Sequence, residues 1–218
     1  MSIQGGVSLK RENGINRYVD ILKVNLRHQY PGPVLAAVAI LMLTGLLFNI
    51  NALEGTAVTK PLEMLVIWTG PALLVPVFLP EQNPEIRDVV RVKSIDYFLI
   101  CILRILYSAL TVAVLSAIFT GIMRICESRV LPYHLWGCIC SALLLGAVGL
   151  SAAGISSNAA VGYMICMVYF LTSYGLKNKL GVLNLFSMTA GSMTGKGWQL
   201  LTAILIIVLT FLILKRKE

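Results

Sequence analysis

Eight residues, "AGSMTGKG" from Ala190 to Gly197, carry a Gly-Lys pair of the kind that cradles a phosphate. The nucleotide-binding pattern needs a glycine, four residues, then Gly-Lys and a Ser or Thr to hold magnesium. Here Ala190 stands where the first glycine is required and Gly197 where the hydroxyl is required, so no ATPase is expected in this chain. A serine hydrolase working inside a membrane needs its nucleophile in a Gly-x-Ser-Gly turn and a later histidine. "GLSA", Gly149 to Ala152, lacks the final glycine, and no histidine follows it. His28 and His134 are too far apart for a zinc pair, and Cys101, Cys126, Cys138, Cys140 and Cys166 have no zinc-like spacing. The thiols read as small packing residues, with a Cys126–Cys138 bond as the weaker alternative. No catalytic residue, cofactor or metal site is expected.

Two charges stand in apolar surroundings. Glu63 sits at the outer mouth of the second apolar run. Arg104 lies inside the third, eight residues past Asp96, or about 12 Å along a helix. At that depth its guanidinium can reach the inner headgroups by snorkelling, so an inner-interface anchor or gate is expected rather than a coupling-ion site.

The densest charge in the middle of the chain is "PEQNPEIRDVVRVKSIDYF", Pro80 to Phe98, in which seven of nineteen residues are charged. Asn83 suits a helix cap, Pro84 the first helical position and Glu85 the first turn. Ile86, Val89 and Val90 then share a face, while Glu85, Arg87, Asp88, Arg91 and Lys93 present both signs of charge, and Ser94 and Asp96 can cap the next helix. The spacing predicts a short amphipathic helix able to take a push from a soluble partner. The competing reading is a solvated turn whose charges set topology.

The elements that would hold these residues are membrane helices. The chain has 218 residues, 57% of them hydrophobic and 13% charged, with a mean hydropathy of +0.82; soluble domains carry roughly 25% charged residues. A hydrocarbon core about 30 Å thick takes runs of about 20 apolar residues. Six runs qualify, approximately 34–50, 62–79, 97–122, 135–153, 159–174 and 198–214. They leave no room for a soluble catalytic domain, and a single membrane domain over 1–218 is expected, with 1–33 and 215–218 as tails. The first run follows about thirty polar residues and no cleavage pattern precedes it, so no cleaved leader is expected.

An even number of spans puts both termini on one side. That side holds eleven basic residues, Lys10, Arg11, Arg17, Lys23, Arg27, Arg87, Arg91, Lys93, Lys215, Arg216 and Lys217. The other side holds six: Lys60, Arg124, Arg129, Lys177, Lys179 and Lys196. The excess predicts cytoplasmic termini, and the net charge of +8 reads as topology and anionic-lipid contact rather than nucleic-acid binding.

Ahead of the first run, "INRYVDILKVNLRH" places Ile15, Tyr18, Val19, Leu22 and Leu26 on one helical face, which predicts an amphipathic helix lying in the cytoplasmic interface. "PGP" at Pro31 to Pro33 then starts the first span. Pro71, beside Gly70, and Pro76 predict a kinked second span, whose freed carbonyls require protein neighbours. Ala147 with Ser151, and Gly149 with Ala153, permit close helix contact in the fourth span, and "GISSN", Gly154 to Asn158, predicts a tight hairpin. Residues 175–197 carry the apolar patch "VLNLF" and read as helical pieces dipping into the outer leaflet, with a solvated loop as the alternative.

In layout the chain resembles the membrane (permease) subunit of type-2 ABC exporters. The features that carry the resemblance are the interfacial helix, six spans with both ends inside, the charged link, the tight hairpin and the re-entrant-like piece before the last span. Within "LPEQNPEIRDVVRVKSIDYFLICILRIL", Glu85, Ser94 and Arg104 occupy the family's acidic, turn and early basic positions. The family often has proline near Ser94 and lysine at the position of Arg104.

The resemblance implies a bacterial plasma-membrane permease paired with a second membrane subunit, identical or not. Beneath the pair would lie two cytoplasmic ABC ATPase subunits that bind the ATP and magnesium. Glu81, Glu85, Arg87, Asp88, Arg91 and Lys93 would form or flank the coupling helix, and Tyr18, Val19, Leu22 and Leu26 the interfacial elbow. Scarce buried charge points to an apolar or amphipathic cargo, such as a peptide, lipid or drug. The alternative is a non-transporting membrane protein, such as an immunity or sensor subunit.

Overall fold

The computed structural model describes residues 30–82, 97–191 and 195–217. The expected interfacial helix with Tyr18, Val19, Leu22 and Leu26, and the link residues Glu85, Arg87, Asp88, Arg91, Lys93 and Ser94, lie outside the described residues.

Among the described residues there are helices and turns but no strand. Helix α1 spans Pro31–Leu47. A broken helix follows, built from 3-10 turns at Gly55–Ala57, Val66–Trp68 and Val75–Gln82, with α2 (Thr59–Met64) and α3 (Thr69–Leu74) between them. Then come α4 (Tyr97–Ile125), α5 (Pro132–Ser156), α6 (Ala159–Leu176), a 3-10 segment at Lys177–Leu183, and α7 (Lys196–Lys217).

Five stretches are long and apolar enough to cross a membrane: Gly55–Phe78, Ile100–Ile125, Pro132–Ser156, Ala159–Leu176 and Lys196–Arg216. The expected first span falls short of this. With 17 residues, α1 is about 25 Å long at 1.5 Å per residue. The physical reason lies at its end, where Phe48 turns extended and the strip containing Asn49 and Asn51 leaves the helix to join the loop after α4. The Ser128 hydroxyl donates to Ile50 O at 2.6 Å, Ala52 N donates to Cys126 O at 3.0 Å, and Arg129 N donates to Leu53 O at 3.0 Å. Backbone groups of Ile50, Ala52 and Leu53 thus pair with this loop rather than with a continued helix.

The broken helix is the heart of the bundle. In its most apolar stretch 78% of the residues are buried, against 22% in α6 and in α7. Prolines at 61, 71, 76 and 80 each remove a backbone donor, which explains why the segment alternates between α and 3-10 geometry instead of running as one helix. Where a kink is expected from Pro71 and Pro76 the segment changes between α and 3-10 geometry, and the protein neighbours that freed carbonyls need are present.

Helix α5 packs against this broken helix, α6 and α7, and small residues make the contacts close. A Cβ on Gly70 would overlap the Ala142 carbonyl oxygen, and one on Gly149 would overlap the Cys166 sulfur. Ala153 also borders Gly162, so the close contact that the Gly149 and Ala153 pair permits is made with α6. The hairpin closes with Ser157 in the left-handed region (φ 53°) and with the Asn158 side chain accepting from Ala160 N at 2.9 Å.

Candidate functional site

Two polar constructions sit in this apolar bundle, one at each end of the broken helix, the first half-buried and the second fully buried. At the end shared with the α5–α6 turn, Phe78 lies beside Gly154 and Phe211. There, in the three-residue bonding pattern of Val75–Gln82, the Val77 carbonyl would receive the N–H of residue 80, which is a proline. The Arg104 guanidinium supplies the donor instead, with Nη1 to Val77 O at 3.2 Å. Arg104, expected as an inner-interface anchor or gate, is thus bonded to the freed backbone of the second span. Glu81 belongs to the final turn of the same segment, one helical turn beyond Val77.

Beside it, Tyr30 stands edge-on to Tyr107 with ring centroids 4.7 Å apart and donates its hydroxyl to Thr111 Oγ1. Tyr30, Pro33, Pro76, Val77, Arg104 and Ser108 line a small cleft here, and the α1 entry is fixed to α4 by this contact.

The second construction was not legible as a unit in the sequence. Glu63, on α2, is fully buried, and so is Lys196 at the start of α7. Glu63 Oε1 accepts from Met188 N at 2.8 Å and from Lys196 Nζ at 3.2 Å. Its Oε2 accepts from Thr189 N at 2.9 Å and from the Thr189 hydroxyl at 2.6 Å. Lys196 Nζ spends its other protons on Ser141 Oγ at 2.6 Å and Leu185 O at 3.1 Å. The Ser141 hydroxyl donates to Gln199 Oε1 at 3.1 Å, and Gln199 Nε2 donates to Val182 O and Asn184 O at 3.1 and 2.7 Å. A buried ion pair persists only when its remaining hydrogen-bonding capacity is met, and here the neighbours meet it.

The network gathers α2, α5, α7 and the segment before α7. The sequence suggests pieces dipping into the outer leaflet or a solvated loop; residues 184–188 instead turn into the protein, with Asn184, Leu185, Ser187 and Met188 buried, while Val182 and Leu183 face outward. The lysine of the glycine-rich stretch thus has an observed partner, the Glu63 carboxylate. From the sequence Glu63 reads only as a charge at the outer mouth of its span. The available signal was a carboxylate and an ammonium at the same depth of two apolar runs, with Gln199 three residues after Lys196 on the same face.

The five thiols are free, and Cys126 is not bonded to Cys138. Cys138 instead lies 3.7 Å from Leu62 O, as Cys166 lies 3.3 Å from Leu145 O, which fits packing residues. Among the described residues no cluster could hold a metal ion.

No family model matches the chain, and no curated protein or solved structure is similar enough to it to count as a match.

Proposed function

We propose that the chain is the membrane-spanning subunit of an ATP-driven exporter of the type-2 ABC class, with α1 as a sixth, shortened span and both termini in the cytoplasm. A helix of about 25 Å can cross if the bilayer thins around it at modest cost. A separate ATPase, in two copies, supplies ATP hydrolysis, and a second membrane subunit completes the path. The cargo is apolar or amphipathic.

The observation that carries this reading is the attachment of the charged link. The sequence from Glu81 to Asp96 is joined directly to the most buried span on one side and to α4, the longest helix described, on the other. Arg104 ties these two elements together through Val77 O. A displacement of the link is therefore delivered to the centre of the bundle rather than to its lipid-facing rim. A mechanical input from a soluble motor needs such an attachment, whereas a topology-setting turn does not.

The test is co-purification in mild detergent after co-expression with the neighbouring reading frames, for the native chain and for Glu85→Lys/Arg91→Glu. An ATPase that accompanies the native chain and is lost from the variant supports the proposal. A native chain that brings down no nucleotide-binding protein overturns it and leaves the immunity or sensor reading in its place.

A further inference from the structure

Helix α5 starts without the residues that ordinarily close a first turn. Its N-cap position is Leu131, whose side chain makes no cap hydrogen bond; Pro132 follows, and no acidic residue stands in the first turn. A Ser, Thr, Asp or Asn would usually supply the acceptor. Here His134 supplies it: its Nδ1 accepts from Leu131 N at 3.2 Å, while His134 N donates to Leu131 O at 3.0 Å. The neutral ring therefore carries its proton on Nε2. The imidazole is 4% exposed and lies against the Tyr133 ring, with centroids 4.2 Å apart.

This cap closes a joint between three elements. Leu131 ends the loop that binds the strip after α1: Ser128 Oγ donates to Ile50 O at 2.6 Å and accepts from Leu53 N at 3.1 Å, Ala52 N donates to Cys126 O, and Arg129 N donates to Leu53 O. Arg124 Nε, on α4, donates to Val130 O at 2.9 Å. The end of α4, the strip 50–53 and the start of α5 thus meet in one loop, and His134 fastens its last residue.

We propose that His134 makes this joint acid-sensitive, closed while its imidazole is neutral and released when the ring gains a proton. A proton on Nδ1 turns the acceptor into a second donor, so the Leu131 N–H loses its partner and two N–H groups face each other. Both are satisfied only in an open joint, where water reaches them. The open joint therefore binds one proton more than the closed one, and acid shifts the balance toward it below the ordinary histidine value of about 6.5. The surrounding charges are otherwise engaged. Glu63, on α2, is the carboxylate that acts on the imidazole, and Lys196 offsets it at 3.2 Å. Arg124 is bonded to Val130 O and Arg129 is paired with Glu54 at 3.2 Å. Lys60 and Glu127 are exposed, and Cys138, one turn along α5, is turned to Leu62 O.

This inference is independent of the exporter reading, and its test needs neither cargo nor ATPase. Hydrogen exchange of the full chain in lipid nanodiscs is followed by mass spectrometry over 48–54, over 126–134 and over the buried middle of α5, with each rate divided by the intrinsic rate at the same pH. In the native chain the first two regions are expected to speed up together by about thirtyfold from about pH 7.5 to about pH 5, as one histidine proton requires, with the middle of α5 unchanged. His134→Asn, whose amide oxygen can accept from Leu131 N but does not titrate, is expected to abolish the rise, and His28→Asn to keep it. The inference is overturned if the native chain shows no rise beyond the intrinsic rate, or if His134→Asn retains it. Should His134→Asn disturb the whole bundle, the onset in the His28→Asn chain decides: a rise beginning near about pH 6.5 supports the inference, and one beginning only near the carboxylate range of about 4 contradicts it.

Discussion

Lys196 Nζ lies 3.2 Å from Glu63 Oε1, with the two side chains 2% and 0% exposed. The pair joins the second apolar run to the last one. Removing one partner of a buried pair costs about 3–5 kcal/mol because the other charge is left without compensation. Lys196→Met should therefore lower the thermal unfolding midpoint in detergent markedly. Glu63→Leu/Lys196→Met should recover only part of that loss, because the N–H groups of Met188 and Thr189 also bond to Glu63 and would then lack an acceptor. Equal midpoints for Lys196→Met and the native chain would mean that the pair contributes nothing.

At the opposite end, Arg104 should be separable from a simple surface cation. Its bond to Val77 O satisfies a carbonyl that Pro80 cannot serve. Leaving such a buried acceptor unpaired costs about 1–3 kcal/mol. Arg104→Met should destabilise the protein by that order, Arg104→Lys by less, and both should increase hydrogen exchange around 75–82. An Arg104→Met protein with native exchange in that region would contradict the assignment.

The contact between α3 and α5 leaves no space at Gly70, where an added Cβ meets backbone rather than a movable side chain. Gly70→Ala should cost about 1–3 kcal/mol through overpacking. The same change at Gly121, which has nothing within 4 Å of a built Cβ, should be neutral or slightly stabilising, since alanine is the better helix former by about 1 kcal/mol. Unfolding midpoints of the two variants measured side by side check the pair of expectations.

Thiol labelling gives an independent check of the bundle. Cys126 is partly exposed, whereas Cys101, Cys138, Cys140 and Cys166 are buried. A water-soluble maleimide should modify Cys126 first in the folded protein, and migration on a denaturing gel should not depend on reductant. Protection of Cys126 together with a reductant-dependent shift would mean that it is bonded to another cysteine.

Much of the helical layout was legible because apolar length and proline chemistry act locally. Pro71 and Pro76 forecast an interruption of the second span and its packing against protein, and Gly149 with Ala153 forecast a close helix contact, which the structure makes with α6. The end of α1 was less legible: apolar count alone carried it to Ile50, while the competing bonds to Ser128 and Cys126 come from a loop over seventy residues away. Glu63 and Lys196 were missed as a pair for the same reason. Each was readable as a charge, but their meeting depends on how α2 and α7 pack. Arg104 was readable as a charge near the start of its span, yet its carbonyl partner follows from the geometry around Pro80, which spacing does not give.

The central claim is that this chain works as half of a membrane pair driven by separate ATPases. Native mass spectrometry of the complex released from nanodiscs, after co-expression with the neighbouring reading frames, tests it most directly. The account predicts an assembly of two membrane subunits with two nucleotide-binding subunits that loses the latter when Glu85 and Arg91 are reversed in charge. A chain that appears alone, or only with copies of itself, under every co-expression would contradict it.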